Sequence, residues 1–218
     1  TELKAGQLSP EEFLPMVDAA ISKAVAESKP RKLLLRSFQS PGDILVMTGA
    51  IESLHKLHPG EYLTAVTTAV DALFENNPHI TPHDKNDPEW ITIEMEYPLI
   101  HQSDAKPVHF LEGYAEWLAS KLSVPLTLQT DRPHLYLSEH EKTRPEWATK
   151  PYWLVNAGVK KDYTAKAYPH YQKLVDLLPD TIFVQIGEAH HNHIHPPLVG
   201  PNVLDYRGGT TIRELIRI

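Results

Sequence analysis

Short apolar runs alternate with helical patterns along most of the chain after residue 30. Strands are indicated by RKLLLRSF, EYLTAVTT and ITIEMEY, and helices by DILVMTGAIESLHKLHP, AVDALFENNP and HFLEGYAEWLASKLSV. Prolines close two of these helices, at Pro59 and Pro78. Because strands that alternate with helices form parallel βαβ units, the first half of the chain is predicted to be a doubly wound α/β lobe.

The same alternation begins again after residue 150. Predicted strands are YWLVNAG, TIFVQIG and VLDYRG, a helix is indicated by KAYPHYQKLVDLL, and TTIRELIRI begins another. A nucleotide-binding α/β lobe usually has five or six strands, so we expect the second lobe to be incomplete in this chain.

The chain is therefore expected to have four segments. These are an N-terminal helical extension (1–30), a first Rossmann-like lobe (31–125), a connection rich in charge and proline with one strand candidate, HLYLS (126–150), and the first part of a second lobe (151–218). In the extension, Ser9 is the expected N-cap and Pro10 the first helical residue, with apolar residues at helical spacing as far as Val25. We expect this helix to pack on the main body, with a regulatory or partner-binding helix as the alternative.

Composition excludes several classes of protein. Lysine and arginine number 21 against 28 aspartates and glutamates, a net charge of −7, which disfavours nucleic-acid binding. The absence of cysteine excludes disulfides, thiolate nucleophiles and cysteine-ligated zinc. No apolar run approaches the length of a membrane span and no signal peptide precedes the first helix, so we expect a soluble chain without a transmembrane segment.

One candidate for chemistry lies in LLLRSFQSPGDILVMTGAI. The Pro41-Gly42 turn is predicted to place Asp43 in the first turn of a helix, at the sheet edge where open α/β folds bind ligands. The helix dipole favours an ionised carboxylate, which can act as a general base. The alternative is that Asp43 only caps the helix. The loop has neither the G-x-G-x-x-G pattern nor a Walker A motif.

A second candidate is NAGVKKDYTAKAYP, a strand followed by a glycine turn and a helix. Backbone N–H groups at the Gly158 turn and the next helix start favour an anion. Lys160, Lys161 and Lys166 add positive charge and Thr164 a hydroxyl, so a diphosphate leaving group fits this pattern. The alternative is that the lysines lie on a solvated face.

The third candidate is the histidine-rich stretch EAHHNHIHPP. His191, His193 and His195 alternate, and three imidazoles can hold zinc or nickel. The stretch nevertheless leads into Pro-Pro and has no carboxylate at an established metal spacing. We expect no metal here, and a histidine-loop metalloprotein stays open as an alternative.

Four stretches together resemble glycosyltransferase family 9, which includes the ADP-heptose:lipopolysaccharide heptosyltransferases and has the two-lobed GT-B fold. They are LLLRSFQSPGDILVMTGAIESLHKLHP, LFENNPHI, WLVNAGVKKDYTAKAYP, and FVQIGEAHHN followed by LDYRGGTTIRELIRI. The chain departs from the family in reading Lys-Ala-Tyr-Pro where a tryptophan usually precedes the proline, and it ends before the family's Asp-Ser-Gly-x-x-His segment.

The resemblance implies an inverting glycosyltransferase with an acceptor lobe followed by a donor lobe, and it implies no metal or other cofactor. A heptose-like sugar would pass from a nucleotide-sugar donor to a glycan or glycoconjugate acceptor in the cytoplasm. Asp43 would be the general base, and the substrate- or nucleotide-binding residues would be Gly42, Gly158, Thr164, Lys166, Gly187 and Glu188. Because the chain is acidic, we expect an acceptor that is less charged than a phosphorylated lipopolysaccharide core, or a protein.

A non-catalytic alternative belongs to another class of function. A GT-B-like binding or scaffold protein would keep the fold without the full site. In that case a partner subunit or self-association would cover the apolar surface of the second lobe.

Overall fold

A computed structural model describes residues 9, 11, 13–19, 29–97, 107–162, 164–188 and 192–218. The chain divides into two compact units, Thr1–Tyr136 and Leu137–Ile218. Residues 13–19 are helical (α1), and the Phe13 N–H donates to the Ser9 carbonyl at 2.8 Å, which places Ser9 at the N-cap as predicted. The predicted continuation of this helix to Val25 lies outside the described residues.

The first unit is built on a parallel sheet in the order β2-β1-β3. Its strands are β1 (Arg31–Ser37), β2 (Tyr62–Thr68) and β3 (Trp90–Glu94). Leu33 and Leu35 on one face of the central strand and Leu34 on the other are all buried, as expected for an apolar run in a sheet covered on both faces. The predicted doubly wound α/β architecture of this half is confirmed.

Two further helices of the first unit are α2 (Pro41–Leu57) and α3 (Phe110–Leu122). The buried face of α2 has helical spacing and includes Ile44, Met47, Ile51 and Leu54. His109 and Glu112 form a capping box at the start of α3. The sequence predicted both helices and their ends.

Two predicted elements differ in the structure. AVDALFENNP forms only a short 3₁₀ turn, Asp71–Phe74, because Asp71 Oδ1 accepts hydrogen bonds from the Thr68 N–H (2.6 Å) and hydroxyl (2.8 Å) and closes a tight turn. HLYLS is not a strand; its first residue instead donates its N–H to the Thr48 hydroxyl of α2 at 3.0 Å. The predicted connection over 126–150 contains the boundary between the two units.

The second unit has a parallel sheet in the order β4-β6-β8. Its strands are β4 (Tyr152–Asn156), β6 (Ile182–Ile186) and β8 (Val203–Asp205), and its helices are α4 (Tyr171–Leu177) and α5 (Ile212–Arg217). A small core is formed by Val155, Val175, Phe183 and Leu198. The helix predicted from KAYPHYQKLVDLL begins only after Pro169, since proline disfavours helical continuation into its own position.

Two short strands lie beyond the ends of this sheet. β5 (Val159–Lys160) and β7 (His193–Ile194) pair antiparallel, with Lys160 opposite His193. The Lys161 N–H donates to the Asn192 carbonyl at 2.8 Å and extends the pairing. We call this pair of strands the clasp.

A near-buried ion pair fastens the end of the second unit. The Arg213 guanidinium of α5 donates from Nε to Glu141 Oε1 at 2.6 Å, and only about a tenth of each side chain is exposed. The Ser138 N–H and hydroxyl also donate to this carboxylate. Within the described ranges, no helix is both long and apolar enough to cross a bilayer.

Candidate functional site

In the first unit, Asp43 lies where the winding of the sheet changes direction. The strand order β2-β1-β3 places the neighbours of β1 on opposite sides, and in open α/β sheets ligands bind at the carboxyl ends of strands at such a point. Asp43 is half-buried in the first turn of α2, directly beyond β1. Gly42 beside it is exposed, and a Cβ there would meet no described atom within 4 Å.

A tyrosine contacts this carboxylate. Tyr97 lies just beyond the end of β3, is buried, and makes a side-chain hydrogen bond with Asp43. Burial, with the negative charge of Asp43, raises the pKa of Tyr97 to about 12. The phenol therefore keeps its proton at neutral pH and donates to the carboxylate, which orients Asp43.

A second tyrosine supports the first. The ring of Tyr114 packs edge-on against Tyr97 with centroids 4.7 Å apart, and burial raises its pKa as well. Its hydroxyl donates to the Gln39 side chain in the turn after β1. Sequence reasoning missed both tyrosines, although the rule that parallel neighbouring strands end at the same edge would have pointed to Tyr97 once β1 and β3 were paired.

In the second unit, a cavity of about 550 Å³ opens beyond β4. It brings together two predicted site residues, Gly158 and Lys166, with further polar side chains. The lining residues are Asn156, Gly158, Val159, Lys160, Asp162, Lys166, His193 and His195. Of the other residues in this predicted motif, Thr164 is exposed and does not line the cavity.

His195 explains the glycines at positions 158 and 187. A Cβ at residue 158 would lie 1.9 Å from His195 Nδ1, and one at residue 187 would lie 2.1 Å from the same atom. Both distances are impossible for real atoms, so the ring occupies space that only glycine leaves at the ends of β4 and β6. Gly187 also has φ +149°, which side chains rarely adopt.

Glu188, another predicted site residue, does not line the cavity but contacts His193, which does. Glu188 Oε2 is 3.1 Å from His193 Nδ1, an electrostatic contact rather than a well-directed hydrogen bond. Burial lowers the pKa of His195; the nearby His193 and Arg207 lower it further, and Glu188 opposes the shift. His195 is therefore predominantly neutral at pH 7.

The cavity has the chemistry of an anion site. Lys160 and Lys166 supply cationic groups, and His193 and His195 supply ring nitrogens beside two glycine turns. Asp162 is the acidic lining residue. Such a site suits a ligand with several anionic oxygens.

The described residues around the cavity do not fit a metal centre. In the described part of the chain, no group of three or more histidine, aspartate or glutamate side chains is placed to hold an ion. The rings of His193 and His195 are 5.8 Å apart between centroids, and His191 lies outside the described residues.

Comparison with known proteins gives a likeness of fold. No protein-family model and no curated protein matches the sequence. One similar structure is TibC of enterotoxigenic E. coli H10407, a bacterial iron-containing dodecameric glycosyltransferase, with a TM-score of 0.56 and 18% identity over 87% of this chain and 52% of that one. TibC as a heptosyltransferase in complex with ADP-D-β-D-heptose has a TM-score of 0.55 and 16% identity over 87% of this chain and 51% of that one. A family 9 glycosyl transferase from Veillonella parvula DSM 2008 has a TM-score of 0.50 and 13% identity over 75% of this chain and 64% of that one.

The chain spans about half the length of the TibC chains that it matches. The iron in the description of TibC has no counterpart in a three-ligand group within the described ranges of this chain. At these identities the likeness concerns the fold, and it confirms at that level the resemblance seen in the sequence motifs. The chain has a GT-B-like α/β fold of the kind found in family 9 glycosyltransferases.

Proposed function

We propose that this chain forms part of an inverting glycosyltransferase that moves a heptose-like sugar from a nucleotide-sugar donor to a glycoconjugate acceptor. The observation that carries the proposal is the cationic cavity between the glycine turns of the second unit. The fold is shared with a heptosyltransferase whose structure holds ADP-D-β-D-heptose, which makes an ADP-linked donor the first to test.

We assign donor binding to the second unit. The diphosphate would lie against Lys160, Lys166 and the Gly158 turn, where the cationic groups stabilise negative charge as the leaving group forms. Gly187 and Glu188 would approach the base and ribose of the nucleotide. Thr164 stays a proposed member of this site, although its side chain is exposed outside the cavity.

We assign the general base to Asp43 in the first unit. The carboxylate would take the proton of an acceptor hydroxyl while that oxygen attacks the anomeric carbon. The bond from that carbon to the diphosphate oxygen breaks, the diphosphate leaves with the electron pair, and attack from the opposite face inverts the configuration. Tyr97 would hold the carboxylate in the orientation that the reaction needs.

This scheme uses no metal ion or other cofactor. A nucleotide-sugar donor implies a compartment supplied with nucleotides, so we place the reaction in the cytoplasm. The net charge of −7 favours a protein or a weakly charged glycan as acceptor.

The experiment is a calorimetric titration with ADP-heptose, ADP, GDP and UDP. We expect ADP-heptose and ADP to bind, and Lys166→Ala to weaken both by roughly tenfold or more because a cation beside the diphosphate is lost. Lys173→Ala is the matched control, since Lys173 is an exposed lysine of α4 outside the cavity. Failure of all four ligands to bind the unmodified protein would overturn the proposal.

A further inference from the structure

The imidazole of His195 is held in place from several sides. Its ring fills the space between Gly158 and Gly187. Its backbone carbonyl accepts a hydrogen bond from Arg207, whose guanidinium is fixed by two bonds to Asp205, at 2.8 and 2.6 Å. The next residue is held too, because the Pro196 carbonyl accepts from Gln185 Nε2 at 2.7 Å. The ring is therefore positioned before any ligand arrives.

Both nitrogens of this ring lack a hydrogen-bond partner among the residues that the structure describes. Nδ1 and Nε2 are buried, and within the described parts of the chain neither makes a hydrogen bond. A neutral imidazole carries one donor and one acceptor, and a buried polar atom without a partner costs free energy. Since His195 also lines the cavity, a ligand bound there is the natural partner for one of the nitrogens.

The charges around the ring select the kind of ligand. Lys160 and Lys166 line the same cavity and attract an anion, whereas the carboxylates of Asp162 and Glu188 oppose its binding. A ligand with several anionic oxygens satisfies both the unpaired nitrogen and the cations.

We propose that His195 is a diphosphate-binding residue whose ring nitrogen donates a hydrogen bond to a phosphoryl oxygen of the donor, an inference that rests on the proposed function. This role also accounts for Gly158 and Gly187, because the absence of a side chain at both positions leaves room for the imidazole at the carboxyl ends of β4 and β6. Which nitrogen donates depends on the tautomer of the ring.

The test is a titration of ADP and of inorganic pyrophosphate into the unmodified protein, His195→Leu and His170→Leu, because leucine has no hydrogen-bond donor. His170 is an exposed histidine of the same unit that does not line the cavity. We expect His195→Leu to weaken both ligands about tenfold and His170→Leu to change them by less than about twofold. Adenosine has no phosphate, so its affinity should be the same for all three proteins.

The outcomes separate this inference from the proposed function. Equal affinity of His195→Leu and the unmodified protein for ADP would overturn the inference and leave the donor site standing. Binding of pyrophosphate that depends on His195, without binding of ADP, GDP or UDP, would support the inference and overturn the nucleotide-sugar donor. If neither pyrophosphate nor any nucleotide binds, both are overturned.

A second variant serves if His195→Leu does not fold. Gly158→Ala places a methyl group where the ring now lies and should displace it, whereas Gly209→Ala would make an ordinary contact at 3.6 Å. We expect Gly158→Ala to bind pyrophosphate about tenfold more weakly than Gly209→Ala. Equal affinities of these two variants would count against His195.

Discussion

Tyr97 donates its phenolic hydrogen bond to Asp43 where two adjacent parallel strands, β1 and β3, reach the same edge of the sheet. The tyrosine is buried and the aspartate half-buried, so one side of the carboxylate is fixed by the protein. A carboxylate held in this way is suited to accept a proton from a hydroxyl brought to the sheet edge.

We expect Asp43→Asn to lower sugar transfer by about 10²-fold or more, because an amide cannot accept the proton of the acceptor. Donor binding should stay unchanged, since Asp43 does not line the cavity that we assign to the donor. The measurement follows labelled heptose from ADP-heptose into acceptors of a cell extract. Glu116→Gln, at an exposed position of α3, is the control, and transfer by Asp43→Asn at the control rate would remove Asp43 from the mechanism.

Gly49→Ala should destabilise the first unit. A Cβ at residue 49 would lie 2.4 Å from Leu111 Cδ2 of α3, in a region where Leu111 is buried. Overpacking of this kind costs about 1–3 kcal/mol and alanine contributes roughly 1 kcal/mol as a better helix former, so we expect a net loss of up to about 2 kcal/mol. Urea unfolding followed by circular dichroism measures the change.

Gly42→Ala in the first turn of the same helix is the comparison for stability, because a Cβ there meets no described atom within 4 Å. An equal effect of the two substitutions would show that the contact of Gly49 with α3 is unimportant.

Lowering the pH should reduce the stability of the first unit, because His55 binds a proton more readily in the unfolded chain than in the folded protein. Burial lowers the pKa of His55 from 6.5 to about 4, and its Nε2 lies 2.9 Å from the Thr64 hydroxyl. In the unfolded chain the residue gains a proton near pH 6.5, so between pH 6.5 and 4 the unfolded state binds more protons. Stability is therefore complete above pH 6.5 and is lost as pH falls towards 4, by an amount on the order of 1–2 kcal/mol after allowance for solvent screening.

The check is to measure the free energy of unfolding of the unmodified protein and of His55→Gln at pH 7.5 and at pH 5. The variant should lose less stability between the two values, because glutamine does not titrate. His83→Gln at the same two values is the control. Parallel losses in the unmodified protein and His55→Gln would assign the effect to other groups.

Glu141→Gln should lower the melting temperature of the second unit at pH 7. Hydrogen bonds from Arg213, with help from the Ser138 N–H, lower the pKa of Glu141 to about 2. The stabilisation from this depressed pKa is present above the ordinary value of 4.5 and disappears as pH falls towards 2. The difference between the variant and the unmodified protein should therefore shrink in acid.

Glu139→Gln is the matched control in the same segment. Its side chain is 90% exposed and contacts Lys142, so its loss should leave the melting temperature nearly unchanged. A melting temperature of Glu141→Gln equal to that of Glu139→Gln at pH 7 would show that the pair with Arg213 does not stabilise the unit.

The strands and most helices could be predicted because their signal is local. Leu33 and Leu35 lie in an apolar run, and the residues of α2 repeat at helical spacing. The turn at Asp71 could not be separated from a helix by pattern alone, since a single side chain, accepting from Thr68, decides it.

The candidate site likewise contains residues that could be predicted from local sequence and others that could not. Gly158 and Lys166 belong to one stretch of sequence and were predicted together. His195 was noticed only as a possible metal ligand, because the contact that defines it joins the loops after β4 and β6 and depends on the folded sheet. Sequence spacing carries no information about such a contact.

The clasp described above ties the loop after β4 to the loop after β6. With Lys160 opposite His193 and Lys161 bonded to Asn192, neither loop can swing away from the cavity without breaking the backbone pairing of both. The amides that this pairing protects in β5 and β7 should therefore exchange their hydrogens together.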